Sequence, residues 1–433
     1  MKKLPDSLWA ATAPQGPSTE ALAANTSVDV AVIGAGFTGL RAALCLAEAG
    51  KRVTVVDAGD IGWGASGRNG GQVNPIGHET PQSIAKHWQG SHDPAHADRF
   101  TRCVIDSADE LFGLVRRHQI ECDAQQNGWI RAVHGNSAKA HFNAMCEGWS
   151  AAGAELSQID AQRVRELSGC HGYGSGWICP RGGSVQPLAY ARGLAQAAIE
   201  AGAVIHTHTV VNELQRMQDN WLLRTPQADL KADQIILATN GYTDQLCSGL
   251  QKSIVPVVSI QAATEPLSDE QVNTILPGRH TFADTRRVIY YFRKTAQNRL
   301  VFGSAGFSDE VPGPSDVQRI RQGLSRVYPM LDKIRIDFIW GGRIAVTQDH
   351  LPHIHQPSEG LWSGLGFNGR GVAMSTVMGR LLAELALGSL PDAMPIPVSQ
   401  IKSYPFHRFH RLGSKAVLHW SEWLDRRESR NSS

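Results

Sequence analysis

Gly34, Gly36 and Gly39, followed by Asp57 about twenty residues later, are the residue types that hold a dinucleotide. Gly34 permits a tight turn, Gly36 lets the backbone approach phosphate, and Gly39 lets a helix pack on a strand. A helix opening there offers unpaired N–H groups and a partial positive charge to the pyrophosphate. Asp57 can accept hydrogen bonds from ribose hydroxyls. A second glycine-dense run, Gly62-Trp63-Gly64-Ala65-Ser66-Gly67-Arg68-Asn69-Gly70-Gly71-Gln72, follows directly. It exposes many N–H groups in a small space, as cradling an anion and a flat ring requires, and Arg68 can offset phosphate charge. In Tyr290-Tyr291-Phe292-Arg293, strand alternation puts Tyr291 and Arg293 on one face. Tyr291 can wall a pocket and Arg293 can bind an acidic group, unless the run is an aromatic core strand. His350, His353 and His355 have a spacing that could supply metal ligands, but Pro352 interrupts it, and no metal is assigned.

The elements that must position these residues read as α/β. Val28 to Ile33 is an apolar strand, Leu40 to Glu48 a helix closing on Gly50, and Val53 to Val56 a strand ending at Asp57. Residues 94–119 have a long helical period, and a further helix is expected near Ala138 to Ala151. Pro187 opens a helix (Leu188 to Glu200), followed by a strand at Val204 to His208. Gln234 to Gly241 is a buried strand ending in a small-residue turn. Residues 246–345 alternate as a mainly antiparallel sheet. The glycine-rich run returns at Gly364 to Gly371, before an apolar helix that ends at Gly388.

The expected organisation is an arm on the surface (1–25), a discontinuous nucleotide-binding domain (26–75, 155–245, 346–390), a substrate domain (76–154, 246–345) and a C-terminal segment (391–433). At 433 residues two domains are the default. The net charge is +2 with Lys and Arg scattered, which argues against a nucleic-acid or membrane surface. Seven cysteines without a CxxC suggest free thiols in a reducing compartment. No run has the apolar length of a membrane span. These features point to a cytoplasmic protein.

Four segments carry a family resemblance: Gly34-x-Gly36-x-x-Gly39, Ser66-Gly67-Arg68-Asn69-Gly70-Gly71-Gln72, Ala238-Thr239-Asn240-Gly241-Tyr242 and Gly366-Phe367-x-Gly369-x-Gly371. The chain resembles the D-amino-acid-oxidase-type FAD-dependent oxidoreductases over nearly its whole length, closest to the γ-glutamylputrescine oxidase and pipecolate oxidase-like branch. The resemblance implies a Rossmann-like FAD-binding domain of glutathione-reductase type with an α+β substrate domain. FAD, expected to be non-covalent, would be held by Gly34, Gly36, Phe37, Thr38, Gly39, Asp57 and Ala58 at the nucleotide end. Ala65, Ser66, Arg68, Asn69, Gly70, Gly71 and Gln72 would form the loop, with Val211 near the adenine and Thr239 and Gly241 beyond it. Gly366, Asn368, Gly369, Gly371 and Val372 would lie at the flavin's pyrimidine end. There a helix N-terminus favours developing negative charge.

Trp340-Gly341-Gly342-Arg343 is similar to the segment in which amino-acid oxidases of this group place an arginine over the flavin to hold the substrate carboxylate. The γ-glutamylputrescine oxidases do not carry Arg there. The alternative role for Arg343 is structural, paired with Asp349 or Glu310. Arg343 and Tyr291 are therefore the candidate catalytic residues, with Arg293, Gln72 and Asn368 as candidates for substrate contact. The implied reaction is oxidation of the C–N bond of a small amine or amino acid bearing a carboxylate, such as pipecolate or an N-methyl amino acid. Hydride passes to the flavin and the imine is then hydrolysed, with O2 or a respiratory carrier as electron acceptor. The alternative substrate is a γ-glutamylated polyamine.

Overall fold

The structure is a computed structural model that describes residues 2–89, 93, 95–135, 138–307, 310–405 and 407–431. Two sheets organise it. In the first, the parallel strands Leu361–Leu365, Asp229–Leu237, Thr26–Ile33, Val53–Val56 and Val204–His206 lie side by side. The strand Thr26–Ile33 sits centrally, so the glycine turn opens at the carboxyl edge of the sheet, where α/β folds bind ligands. Val53–Val56 and the carboxyl ends of Thr26–Ile33 and Asp229–Leu237 are buried apolar runs, as strands covered on both faces are. The helices Phe37–Glu48, Pro187–Glu200 and Gly371–Ala386 pack together against them, joined by the long helix Ala95–Arg117.

The second sheet has eight strands in the order Ile336–Val346, Val255–Pro266, Arg299–Ala305, Tyr291–Lys294, Thr281–Asp284, Trp129–Ala132, Ser175–Cys179, Ser157–Asp160. Its pairs are antiparallel except that between Thr281–Asp284 and Trp129–Ala132. Its two faces differ in chemistry. One carries Ile130, Phe282, Phe292 and Phe302, with the Phe282–Phe292 rings stacked at 4.5 Å, and is covered by Ile320, Leu324 and Val327 of the helix Pro314–Val327. The register then fixes the other face as one lateral row: Trp177, Arg131, Ala283, Tyr291, Gly303, Gln261 and Trp340.

One expectation about organisation is corrected, and two segments take a definite place. Residues 157–160 and 175–179, assigned above to the nucleotide domain, pair into the second sheet, because their alternating pattern completes its far edge. The arm at 1–25 runs along the surface and is anchored near its start. Its helix Leu8–Thr12 is capped by Ser7 and buries Leu8 and Trp9, each 1 % exposed, beside Leu188 and Trp340. The prolines and small residues around it hid that two-residue anchor. The C-terminal helix His410–Asn431, for which no single position was expected, docks on the substrate domain, where Asp425 accepts from the Val288 amide and pairs with Arg287.

Candidate active site

The glycine turn has the geometry its spacing requires. Gly34 has φ +114°, and a Cβ there would lie 2.8 Å from the Ala238 carbonyl oxygen. A Cβ on Gly39 would lie 1.9 Å from the Gly34 carbonyl oxygen. The Phe37 amide, at the start of its helix, donates to Ser66 Oγ at 2.9 Å, which ties the glycine-dense loop to the phosphate end. Asp57 accepts the amides of Ala35 and Gly59 at 2.7 and 2.8 Å, one on each oxygen. Burial raises its pKa and those two amides oppose the rise. At the far end, Asn240 Oδ1 accepts the Gly366 amide at 3.0 Å, which joins the Thr239–Gly241 turn to the third glycine run. The Gly36–Ser66 cradle, the Asp57 carboxylate and the N-terminus of Gly371–Ala386 thus form a continuous track, and these residues fit a bound FAD.

The glycine-dense loop lies on the polar face of the second sheet. A Cβ on Gly70 would meet Gln261 Oε1 at 3.2 Å and Tyr291 Cε2 at 3.5 Å. Trp340 Nε1 donates to the Arg68 carbonyl at 2.8 Å, and Trp9 Nε1 donates to that of Asn69 at 2.8 Å. Tyr291 Oη accepts from Gln261 Nε2 at 2.6 Å and shares a 2.5 Å hydrogen bond with Ser259 Oγ. Burial pushes the Tyr291 phenol up to about 12, against the pull of those two partners, so the phenol keeps its proton. Gly303 is required opposite it, because a Cβ there would lie 2.2 Å from Tyr291 Cε2. Neither Ser259 nor Gln261 was among the candidates. Their signal was period-two polarity inside the apolar run Val257 to Ala262.

The other candidates are held differently. Arg293 Nε donates to the Gly70 carbonyl at 2.9 Å, Nη2 donates to that of Val185 at 2.8 Å, and Cζ stacks 5.0 Å from the Trp9 ring. Its guanidinium clamps the loop from beneath. Gln72 Nε2 donates to the carbonyls of Phe282 and Phe292. Asn368, at φ +50°, braces its own turn, its Nδ2 donating to the Gly366 carbonyl and to Thr347 Oγ1 and its Oδ1 accepting the Thr347 amide.

Arg343 is ion-paired. Its Nε lies 2.6 Å from Glu310 Oε1, and the other oxygen of Glu310 accepts from Tyr242 Oη at 2.7 Å and lies 3.3 Å from Arg68 Nη1. Because Ser259 pairs with Gly342 and Gln261 with Trp340, Arg343 falls on the opposite face of its strand from Tyr291. Asp349 pairs instead with His353 and His87. Burial raises the Asp349 carboxyl, but His353 and the Leu351 amide prevail and hold it at about 2. Among the described residues, no group of three or more His, Cys, Asp or Glu is arranged to hold a metal.

The family model for FAD-dependent oxidoreductases of the DAO type matches residues 29–385. The chain belongs to that family. It is 31% identical over 408 residues to a probable oxidoreductase, OrdL, of Haemophilus influenzae, with 92% of each chain covered. It is 30% identical over 405 residues to the γ-glutamylputrescine oxidoreductase of Escherichia coli, again with 92% of each chain covered. Among solved structures, glycine oxidase from Geobacillus kaustophilus superposes with a TM-score of 0.72 at 20% identity, covering 86% of this chain and 99% of that one. This family member is therefore an FAD-dependent enzyme that oxidises amines or amino acids. Among its described residues, no helix is long and apolar enough to cross a membrane.

Proposed function

We propose that this chain oxidises the C–N bond of a primary or secondary amine carried on a longer acylated arm, of the γ-glutamylated diamine type, rather than an amino acid whose carboxylate adjoins the reacting carbon. The observation that carries this reading is the 2.6 Å pair between Arg343 and Glu310, on the strand face opposite Tyr291. An arginine already neutralised by a carboxylate is a poor anchor for a second one. The relative named for γ-glutamylputrescine, at 30% identity, supports the same choice. In this reading Tyr291, fixed by Ser259 and Gln261, orients the amine nitrogen with its phenol protonated. Loop residues Arg68 to Gly71, which lie against the sheet, would help hold the cofactor and exclude water. FAD bound along the glycine track supplies the hydride acceptor.

One observation favours the carboxylated amino acid: the Arg343 side chain is 39% exposed, so its Glu310 partner is exchangeable. Anaerobic stopped-flow bleaching of the flavin separates the two. The panel is γ-glutamylputrescine, putrescine, L- and D-pipecolate, proline and sarcosine. Bleaching by γ-glutamylputrescine alone is expected. Fast bleaching by a cyclic or N-methyl amino acid, lost in Arg343→Ala, would reinstate Arg343 as the anchor.

A further inference from the structure

A second cationic cluster lies at the other end of the same sheet face. Arg131 occupies the lateral row of Tyr291 and Gln261, two strands from Tyr291, about 10 Å across the sheet. Arg370 immediately precedes the helix Gly371–Ala386, and its Cζ stacks 4.7 Å from the Trp129 ring. Trp129 and Trp177 meet edge to face at 4.8 Å. Four N–H donors in this cluster, Arg131 Nε, Arg370 Nε, Trp129 Nε1 and Trp177 Nε1, are buried and have no acceptor among the described residues. Neither arginine forms an ion pair with any described residue. The acid that acts on Arg131, Asp284, is occupied by Arg286 and Tyr173 and by the amides of Arg286 and Tyr290. Burial and the charge of Arg131 together bring Arg370 down to about 9, and burial brings Arg131 to about 10 despite Asp284. Burial and both arginines drive the His78 imidazole well below its usual range, so it adds no third charge.

Two half-buried guanidiniums, each with a buried Nε that has no acceptor among the described residues, and two unpartnered indole N–H groups give this corner a surplus of donors beside the one unpartnered acceptor Asn74 Oδ1, and that surplus complements an anion. The N-terminus of Gly371–Ala386 adds to the same sign of field. We infer that Arg131 and Arg370, with the indole N–H groups of Trp129 and Trp177, form a carboxylate subsite for the end of the substrate remote from the reacting amine. This rests on the proposed reading of an acylated arm. It supplies the carboxylate partner that Arg343, spent on Glu310, does not.

The test uses the FAD-loaded enzyme, with glutarate as the probe. Calorimetry is expected to show glutarate binding that weakens roughly 100-fold in Arg131→Gln and Arg370→Gln and is partly kept in Arg370→Lys. The exposed Arg335→Gln should match the parent protein. In anaerobic flavin reduction, the preference for γ-glutamylputrescine over N-acetylputrescine should collapse by a similar factor in the two Gln variants. Glutarate binding that is absent from the parent protein, or equal in the Gln variants, overturns the subsite. So does loss of FAD by those variants, which would assign the arginines to the cofactor. Arginine-dependent glutarate binding without flavin bleaching by either amine would leave the subsite standing and refute the proposed substrate class.

Discussion

Arg343 and Tyr291 stand on opposite faces of one sheet, and Glu310, not an open cavity, receives the arginine. The pairing makes a quantitative prediction. Arg343→Ala and Glu310→Ala should couple in a double-mutant cycle of thermal stability by about 1 kcal/mol, the value for a partly exposed pair. KM for γ-glutamylputrescine should change little in Arg343→Ala. A rise of about 100-fold, the signature of a lost buried anchor, would contradict the structural role.

Tyr291→Phe should slow flavin reduction by up to about tenfold, the worth of one neutral hydrogen bond, while flavin content stays near that of the parent protein. Because the phenol is held near 12, the pH profile of reduction should keep its shape in the variant. A limb of the profile that disappears with the hydroxyl would mean that Tyr291 carries a proton during turnover.

Gly39→Ala should abolish stable flavin binding. Its Cβ would lie 1.9 Å from the Gly34 carbonyl, which forces helix and strand apart. A purified variant with a normal ratio of 450 nm to 280 nm absorbance would refute this. The overpacking should also cost about 1–3 kcal/mol of stability.

His355 links stability to pH. It is 3% exposed, one nitrogen bonds to the Ser399 carbonyl, and Nε2 has no partner among the described residues. Burial, only partly opposed by Ser399, lowers it from 6.5 to about 4. The unfolded chain therefore takes up a proton near 6.5 that the folded chain refuses until about 4. Stability is present above 6.5 and is lost as pH falls through that window, by about 3 kcal/mol in all. Urea midpoints should drop across this range, and the drop should be smaller in His355→Asn.

The nucleotide half of the fold was legible because phosphate binding constrains the backbone itself. Gly34 and Gly39 leave no room for a Cβ, and that requirement is written as residue type and spacing. The second sheet was harder to read. Its alternation is visible, but which face meets the glycine-dense loop depends on long-range register, so the sequence did not show that Arg293 and Gln72 donate to backbone carbonyls. Arg131 and Arg370 are 239 residues apart in sequence and meet only through the folding of both domains. Nothing local in the sequence marked Trp9 as the residue that seats the loop, since a lone indole in a polar arm has no periodicity.

The strand Ile336–Val346 lies at the edge of its sheet, paired on one side only. Edge strands absorb insertions, deletions and bulges that central strands do not, and a slip of one residue exchanges every side chain between faces. A single-residue deletion near Gly341 would therefore carry Arg343 from Glu310 onto the face of Tyr291 and bring Ile344 to Glu310 in its place. Divergence between amine-arm and amino-acid substrates on this scaffold needs no new charge and no rebuilt pocket. A change in the parity of one strand would suffice, and the exchange Arg343→Ile with Ile344→Arg imitates it.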